Sequence, residues 1–219
     1  MTSLPTRERP PVLLPEVDTP ALVVDDVILE ANIARVSAQA RQAGLALWPH
    51  AKTHKSVQVA RRQMESGATG ITVAKPQEAM VFWRAGLRPI FLAYPPVGMH
   101  KLDALRPMIR DEALIVGLDD LVTAEPLGAL AVACGLTLPI MVEVDVGMQR
   151  AGVEWGGKQP VWHCRSRMSL ALNYAASFAT RATHTTFDQA NCPSSRQRSP
   201  AACVKPPNSF AQRAKLAPS

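Results

Sequence analysis

Cysteine is scarce in this chain: 219 residues contain four, none in a short paired spacing. That spacing excludes a disulfide framework and the tight C-x2-C pairs of zinc modules, and it fits reduced thiols in a cytoplasmic protein. Long apolar runs are also missing. The most apolar region, Gly128 to Val142, falls short of the ~18 residues a membrane span needs, and Gly135 and Pro139 split it, so it reads as a helix end followed by a buried strand. No membrane segment is expected. Near the N-terminus, Pro5, Arg7, Glu8, Arg9, Pro10 and Pro11 interrupt any apolar core of leader length, so export is not expected either. What remains, with 47% hydrophobic residues, suffices for one sizeable core.

The formal charge of +6 is unevenly placed. From Pro160 to Ser219 there are eight bases (Arg165, Arg167, Arg181, Arg196, Arg198, Lys205, Arg213, Lys215) against one acid, Asp188, which leaves sixteen bases and seventeen acids elsewhere. Cys164, Cys192 and Cys203 also fall in this segment, among scattered serine and proline, and no sustained period follows Ala176. Neither a strand nor a packed helix array is expected there. The organisation read from the sequence is therefore a body over 18–155 and a basic tail over 156–219 that is disordered or out of frame. The tail's bases are dispersed and match no binding motif, so a nucleic-acid partner is not expected. His163, Cys164, His184 and Cys192 lack the tight pairing of zinc ligands, so no metal site is expected.

Within the body, strand and helix patterns alternate. Ile28 to Ala43 carries apolar residues at helical spacing and stops at Gly44. Leu45 to Trp48 reads as a short buried strand, Val57 to Glu65 as a helix, Gly70 to Ala74 as a β-branched strand, and Pro76 to Arg84 as a helix opened by proline. Ile90 to Tyr94, Lys101 to Ile109, Leu114 to Leu118, Leu121 to Cys134 and Ile140 to Val146 continue the series. Such an order implies a parallel sheet with right-handed crossovers. Pattern alone leaves a doubly wound sheet and a barrel both open.

The stretch Trp48-Pro49-His50-Ala51-Lys52-Thr53-His54-Lys55-Ser56 sets a lysine between two imidazoles where an apolar segment ends. Parallel α/β folds build their sites at strand ends. A lysine amine becomes a nucleophile when desolvation or a nearby cation lowers its pKa from ~10.4 toward ~7 to 8, and His50, His54 and Lys55 would supply that positive neighbourhood. The alternative is a solvated basic loop, which spacing by itself favours.

The motif HAKTHKS resembles the RPHxKTHK signature of the D-threonine aldolase and D-serine dehydratase family, whose N-terminal part is an alanine racemase-like barrel. Ile90 to Pro95 (IFLAYP) and Val142 to Val153 (VEVDVGMQRAGV) resemble two further family stretches, as does the opening Thr19 to Asp25 with Asn32-Ile33. The order and spacing of these elements agree from Asp18 to Val153. Trp48, Lys75 and Gln149 depart from the family's arginine, threonine and glycine.

The resemblance selects an α/β fold of (β/α) TIM-like barrel type, alanine racemase N-terminal, incomplete in this chain. It implies pyridoxal 5'-phosphate held as a Schiff base on Lys52, which after substrate exchange shuttles a proton at the substrate's Cα. Arg150, in the turn after a strand, matches the family arginine that contacts the cofactor's phenolic oxygen; without its neighbours it would read as a surface turn residue. Tyr94 lines the pocket or is a core aromatic, and His50 and His54 tune the site or cap the loop. The implied activity is a lyase on small D-amino acids, by retro-aldol cleavage or β-elimination, in a homodimer. A non-catalytic cofactor-binding barrel or a racemase relative is the alternative. The family's divalent metal would be held by a later histidine with cysteine or aspartate, and those ligands have no counterpart here.

Overall fold

The computed structural model describes residues 17–154 and 172–178, the latter as backbone except at Leu172. Most of the tail, 155–171 and 179–219, lies outside the described residues.

Helix α1 (Asp26–Gln42) starts where the Asp25 carboxylate accepts the Ile28 N–H at 3.0 Å and ends before Gly44, whose φ of 65° suits glycine. Helix α2 (Val57–Glu65) is capped by the Ser56 hydroxyl, which accepts from the Val59 N–H at 3.3 Å. Arg62 of α2 pairs with Asp26 and Glu30 of α1 and ties the two together. From there strands and helices alternate: β1 (Ile71–Val73), α3 (Pro76–Arg84), β2 (Ile90–Leu92), α4 (Met99–Arg110), β3 (Leu114–Leu118), α5 (Leu121–Ala133) and β4 (Leu138–Asp145). Two more strands, β5 (Val153–Glu154) and β6 (Leu172–Phe178), both pair with β4.

All pairings are parallel, and β1 to β4 lie side by side in chain order with β6 next to β4. A doubly wound sheet reverses its order at a switch point; this sheet does not, so it forms an arc of barrel type.

Alternation along the strands separates two faces. Ile71, Val73, Ile90, Leu92, Val116, Leu118 and Ile140 pack into one cluster with Phe82 of α3, Leu105 and Met108 of α4, and Leu127 of α5. Thr72, Phe91 and Ile115, aligned by register, form the opposite face and are also buried. A sheet apolar on both faces with helices on one is what a parallel barrel requires.

Two sequence expectations are corrected. Leu45 to Trp48 is not a buried strand: Leu45 and Ala46 are exposed, and Leu47 and Trp48 half-buried. The strand-like pairing lies further on, where Thr69 donates to the Leu47 carbonyl, Thr72 to that of Pro49, and Ala51 to that of Thr72, each at 2.8 Å. His50 bridges Thr72 in parallel. The apolar letters misled because Leu45 leaves the end of α1 before the chain reaches the sheet edge. Secondly, β6 is a strand within the segment from which none was expected. A short run beside an open parallel edge takes its conformation from that partner's backbone, not from its own period.

Candidate active site

In a parallel arc every C-terminal strand end lies on the same rim. Lys52 follows the segment paired with β1, Tyr94 follows β2, and Arg150 follows β4. Three of the residues singled out from the sequence thus share one rim, and all three are exposed. His50 lies beneath Lys52, half-buried at the sheet edge.

The loop after His50 is tightly made. Lys55 donates its N–H to the Ala51 carbonyl at 2.8 Å and takes a φ of 48°, a left-handed conformation unusual outside glycine. His54 turns back: its Nδ1 accepts the Ser56 N–H at 3.0 Å, just where α2 begins. This imidazole is a cap for the loop. Burial pushes its pKa down, against smaller opposing effects of the nearby Gln63 side chain and the Ser56 backbone. His50 is pushed down as well, first by burial and then by the charge of Lys52, with Glu78 and the Thr72 backbone acting the other way. Both rings are thus mainly neutral at pH 7. The positive neighbourhood expected from the two histidines is not what the structure builds, because their burial favours the uncharged form.

The two lysines differ. The Lys55 amine pairs with Glu78 Oε1 at 3.6 Å. The Lys52 amine has no hydrogen-bond or ion-pair partner among the described residues, and its backbone N–H approaches His50 Nδ1 at 3.4 Å.

Arg150 sits on a turn built around Asp145. One carboxylate oxygen accepts from the N–H groups of Gly147 at 2.8 Å, Met148 at 2.9 Å and Gln149 at 3.2 Å, while the other takes Gln149 at 3.0 Å. These bonds favour the charged carboxylate and hold its pKa below the ordinary value. Gly152 closes the turn at φ 102°, its N–H donating to Asp119 Oδ2 at 3.1 Å. Tyr94 is 57% exposed, so it is a rim residue and not a core aromatic.

Sequence reasoning missed Glu78, Asp119 and Gly152. Glu78 had a local signal, an acid in the first turn of a helix opened by proline. Asp119 and Gly152 meet across 33 residues and had none. Among the described residues no group of three His, Cys, Asp or Glu could hold a metal ion, and no helix is long and apolar enough to cross a membrane.

An arc of parallel strands in chain order, with Lys52, Tyr94 and Arg150 on its C-terminal rim, is of the parallel α/β barrel class. The family model described as "Alanine racemase, N-terminal domain" matches residues 24–198, and the chain belongs to that family. The match passes through β6 and into the basic segment. The chain is 38% identical over 151 residues to the D-threonine aldolase of Arthrobacter sp, covering 69% of this chain and 40% of that protein. It is 36% identical to the D-threo-3-hydroxyaspartate dehydratase of Delftia sp. (strain HT23), covering 62% of this chain and 36% of that one.

Among solved structures, D-threonine aldolase from Filomicrobium marinum superposes with a TM-score of 0.70 at 33% identity, over 75% of this chain and 44% of that one. Alanine racemase from Streptomyces lavendulae, at 21% identity and a TM-score of 0.55, shares the fold. The chain spans about two fifths of the length of the curated relatives it matches.

Proposed function

We propose that this chain carries the pyridoxal-phosphate-bearing barrel of a lyase acting on small D-amino acids, with Lys52 as the covalent anchor. The observation that carries the reading is the contrast between the lysines: the exposed Lys52 amine has no partner among the described residues, whereas Lys55 is paired with Glu78. The names of the relatives, an aldolase and a dehydratase, support the reaction class.

The residues present suit this cofactor at its reactive end. Lys52 is exposed beside a mainly neutral His50, so its amine is reachable and its proton has a neighbouring base. When bound, the cofactor supplies an electron sink for the carbanion at the substrate's Cα. Lys52 Nζ then holds or returns the Cα proton. Arg150 follows β4, four strands along the arc from the Lys52 segment and on the same rim, where its guanidinium would bind the phenolic oxygen and keep it anionic. Tyr94, two strands from Lys52, walls the mouth between them.

Incubation with pyridoxal phosphate, borohydride reduction and peptide mapping tests the anchor: the pyridoxyl group belongs on Lys52, and its appearance on Lys55 would overturn the assignment. Release of glycine and aldehyde from D-threonine, or of pyruvate and ammonia from D-serine, tests the class. The second reading is a barrel that binds the cofactor without turnover. Labelling of Lys52 with no product from either substrate, with or without divalent metal, would select it. The homodimer and the cytoplasmic setting implied by the resemblance are part of the proposal; sedimentation tests the first.

A further inference from the structure

Two lysines, three residues apart, leave the same strand end, yet the chemistry proposed above uses one. Their backbones differ. Lys55 is locked in the left-handed region by its bond to Ala51 and by the His54 cap that follows it.

Glu78 is the third residue of α3, and its side chain is only 13% exposed against 64% for Lys55. Its two oxygens do different things. Oε2 accepts the Ala74 N–H at 3.0 Å, at the end of β1, and Oε1 faces the Lys55 amine at 3.6 Å. The carboxylate is therefore fixed to the sheet before it meets a lysine. An exposed ion pair normally gains little, since two long side chains must be ordered and water screens both charges. In this pair one partner is already immobile and partly desolvated, so only the lysine has to be ordered. The same carboxylate acts on His50, on the other flank of the loop.

We infer that Glu78 is a positioning residue that holds the Lys55 amine away from the cofactor and leaves the reaction to Lys52, whose amine has no partner among the described residues. The inference rests on the Lys52 anchor proposed above. In the covalent step the free amine attacks the cofactor's aldehyde carbon, a C–N bond forms and the aldehyde oxygen leaves as water. The Lys55 nitrogen, held on Glu78 at 3.6 Å, must leave that carboxylate before it can reach the carbon.

The test uses Glu78→Gln, which keeps an oxygen for the Ala74 N–H but loses the charge, and Glu78→Asp, which keeps the charge and shortens the reach. Brief acetylation of the cofactor-free chain with acetic anhydride, followed by peptide mapping, reads the Lys55 to Lys52 ratio without any activity assay. E78Q should raise that ratio about two- to fivefold, the scale of an ion pair of this exposure, and E78D should fall between E78Q and the wild type. With pyridoxal phosphate and borohydride, the wild type should carry the pyridoxyl group on Lys52, and E78Q should move part of it to Lys55. A ratio unchanged in both variants, with Lys52 labelled throughout, would overturn this inference and leave the anchor standing. A wild-type chain labelled on neither lysine would overturn both.

Discussion

The carboxylate of Asp119, just past β3, accepts the N–H of Gly152 at 3.1 Å, across 33 residues, and so fastens the turn that follows β4 to the neighbouring strand end. Asp145 gathers the N–H groups at the start of the same turn. Arg150 lies between these two anchored points, so its backbone is held from both sides before any ligand arrives. Preorganised donors of this kind cost little ordering entropy on binding.

Gly152 should tolerate no side chain. A Cβ there would lie 2.6 Å from the Asp145 nitrogen and 2.8 Å from the Val144 carbonyl carbon, both backbone atoms, at a φ of 102°. Gly152→Ala is expected to cost about 2–3 kcal/mol and to weaken cofactor binding through the displaced Arg150. Denaturant unfolding beside a pyridoxal phosphate titration measures both. Wild-type stability in the variant would show that the turn is softer than its geometry indicates.

Trp48 and Gly70 form a second close pair. A Cβ at Gly70 would fall 2.2 Å from the Trp48 ring. Since the ring is half-buried and can shift, Gly70→Ala should cost about 1–3 kcal/mol. Trp48→Ala should relieve that clash, so a double-mutant cycle should give a coupling of about 1 kcal/mol or more. Simple additivity would argue against the contact.

Stability should decline in acid in two stages. His50 and His54 have folded pKa values lowered from 6.5, so unfolding takes up protons as pH falls through and below that value. Their contribution is intact above 6.5 and is lost toward the lowered folded values. Asp145, lowered from 3.8, contributes above that value and loses its share as pH falls further. Replacing both histidines with glutamine should flatten the first stage and spare the second. Urea midpoints collected from about pH 8 down to about pH 3 would reveal a single unmodified slope if the histidines are not involved.

Removing the amine of Lys52 should remove the cofactor. Lys52→Ala is expected to abolish the absorbance of bound pyridoxal phosphate and its borohydride trapping, whereas Lys55→Ala keeps both. Loss of binding in the Lys55 variant alone would invert the assignment made for the pair.

Much of this was legible in the chain, because many signals are local. Asp25, Ser56 and Asp120 each open a helix by accepting an N–H two or three residues ahead, and that chemistry needs no distant partner. The alternation of β-branched runs and helical periods indicated a parallel α/β sheet for the same reason, but left a barrel and a doubly wound sheet both open. The loop containing Lys52 stood out because the end of a parallel strand is where sites form. The sequence could not show which apolar residues find cover: Leu22, Val23 and Val24 are consecutive apolar residues and yet are 102%, 68% and 64% exposed. Nor could it separate Lys52 from Lys55 by physics, since the Glu78 carboxylate that distinguishes them lies on another helix. The pairing of β6 with β4 and the bond between Asp119 and Gly152 were likewise decided only in three dimensions. Caps and periods are set by neighbours a few residues away, whereas burial, ion pairing and parallel register depend on segments that meet only when the sheet has curved.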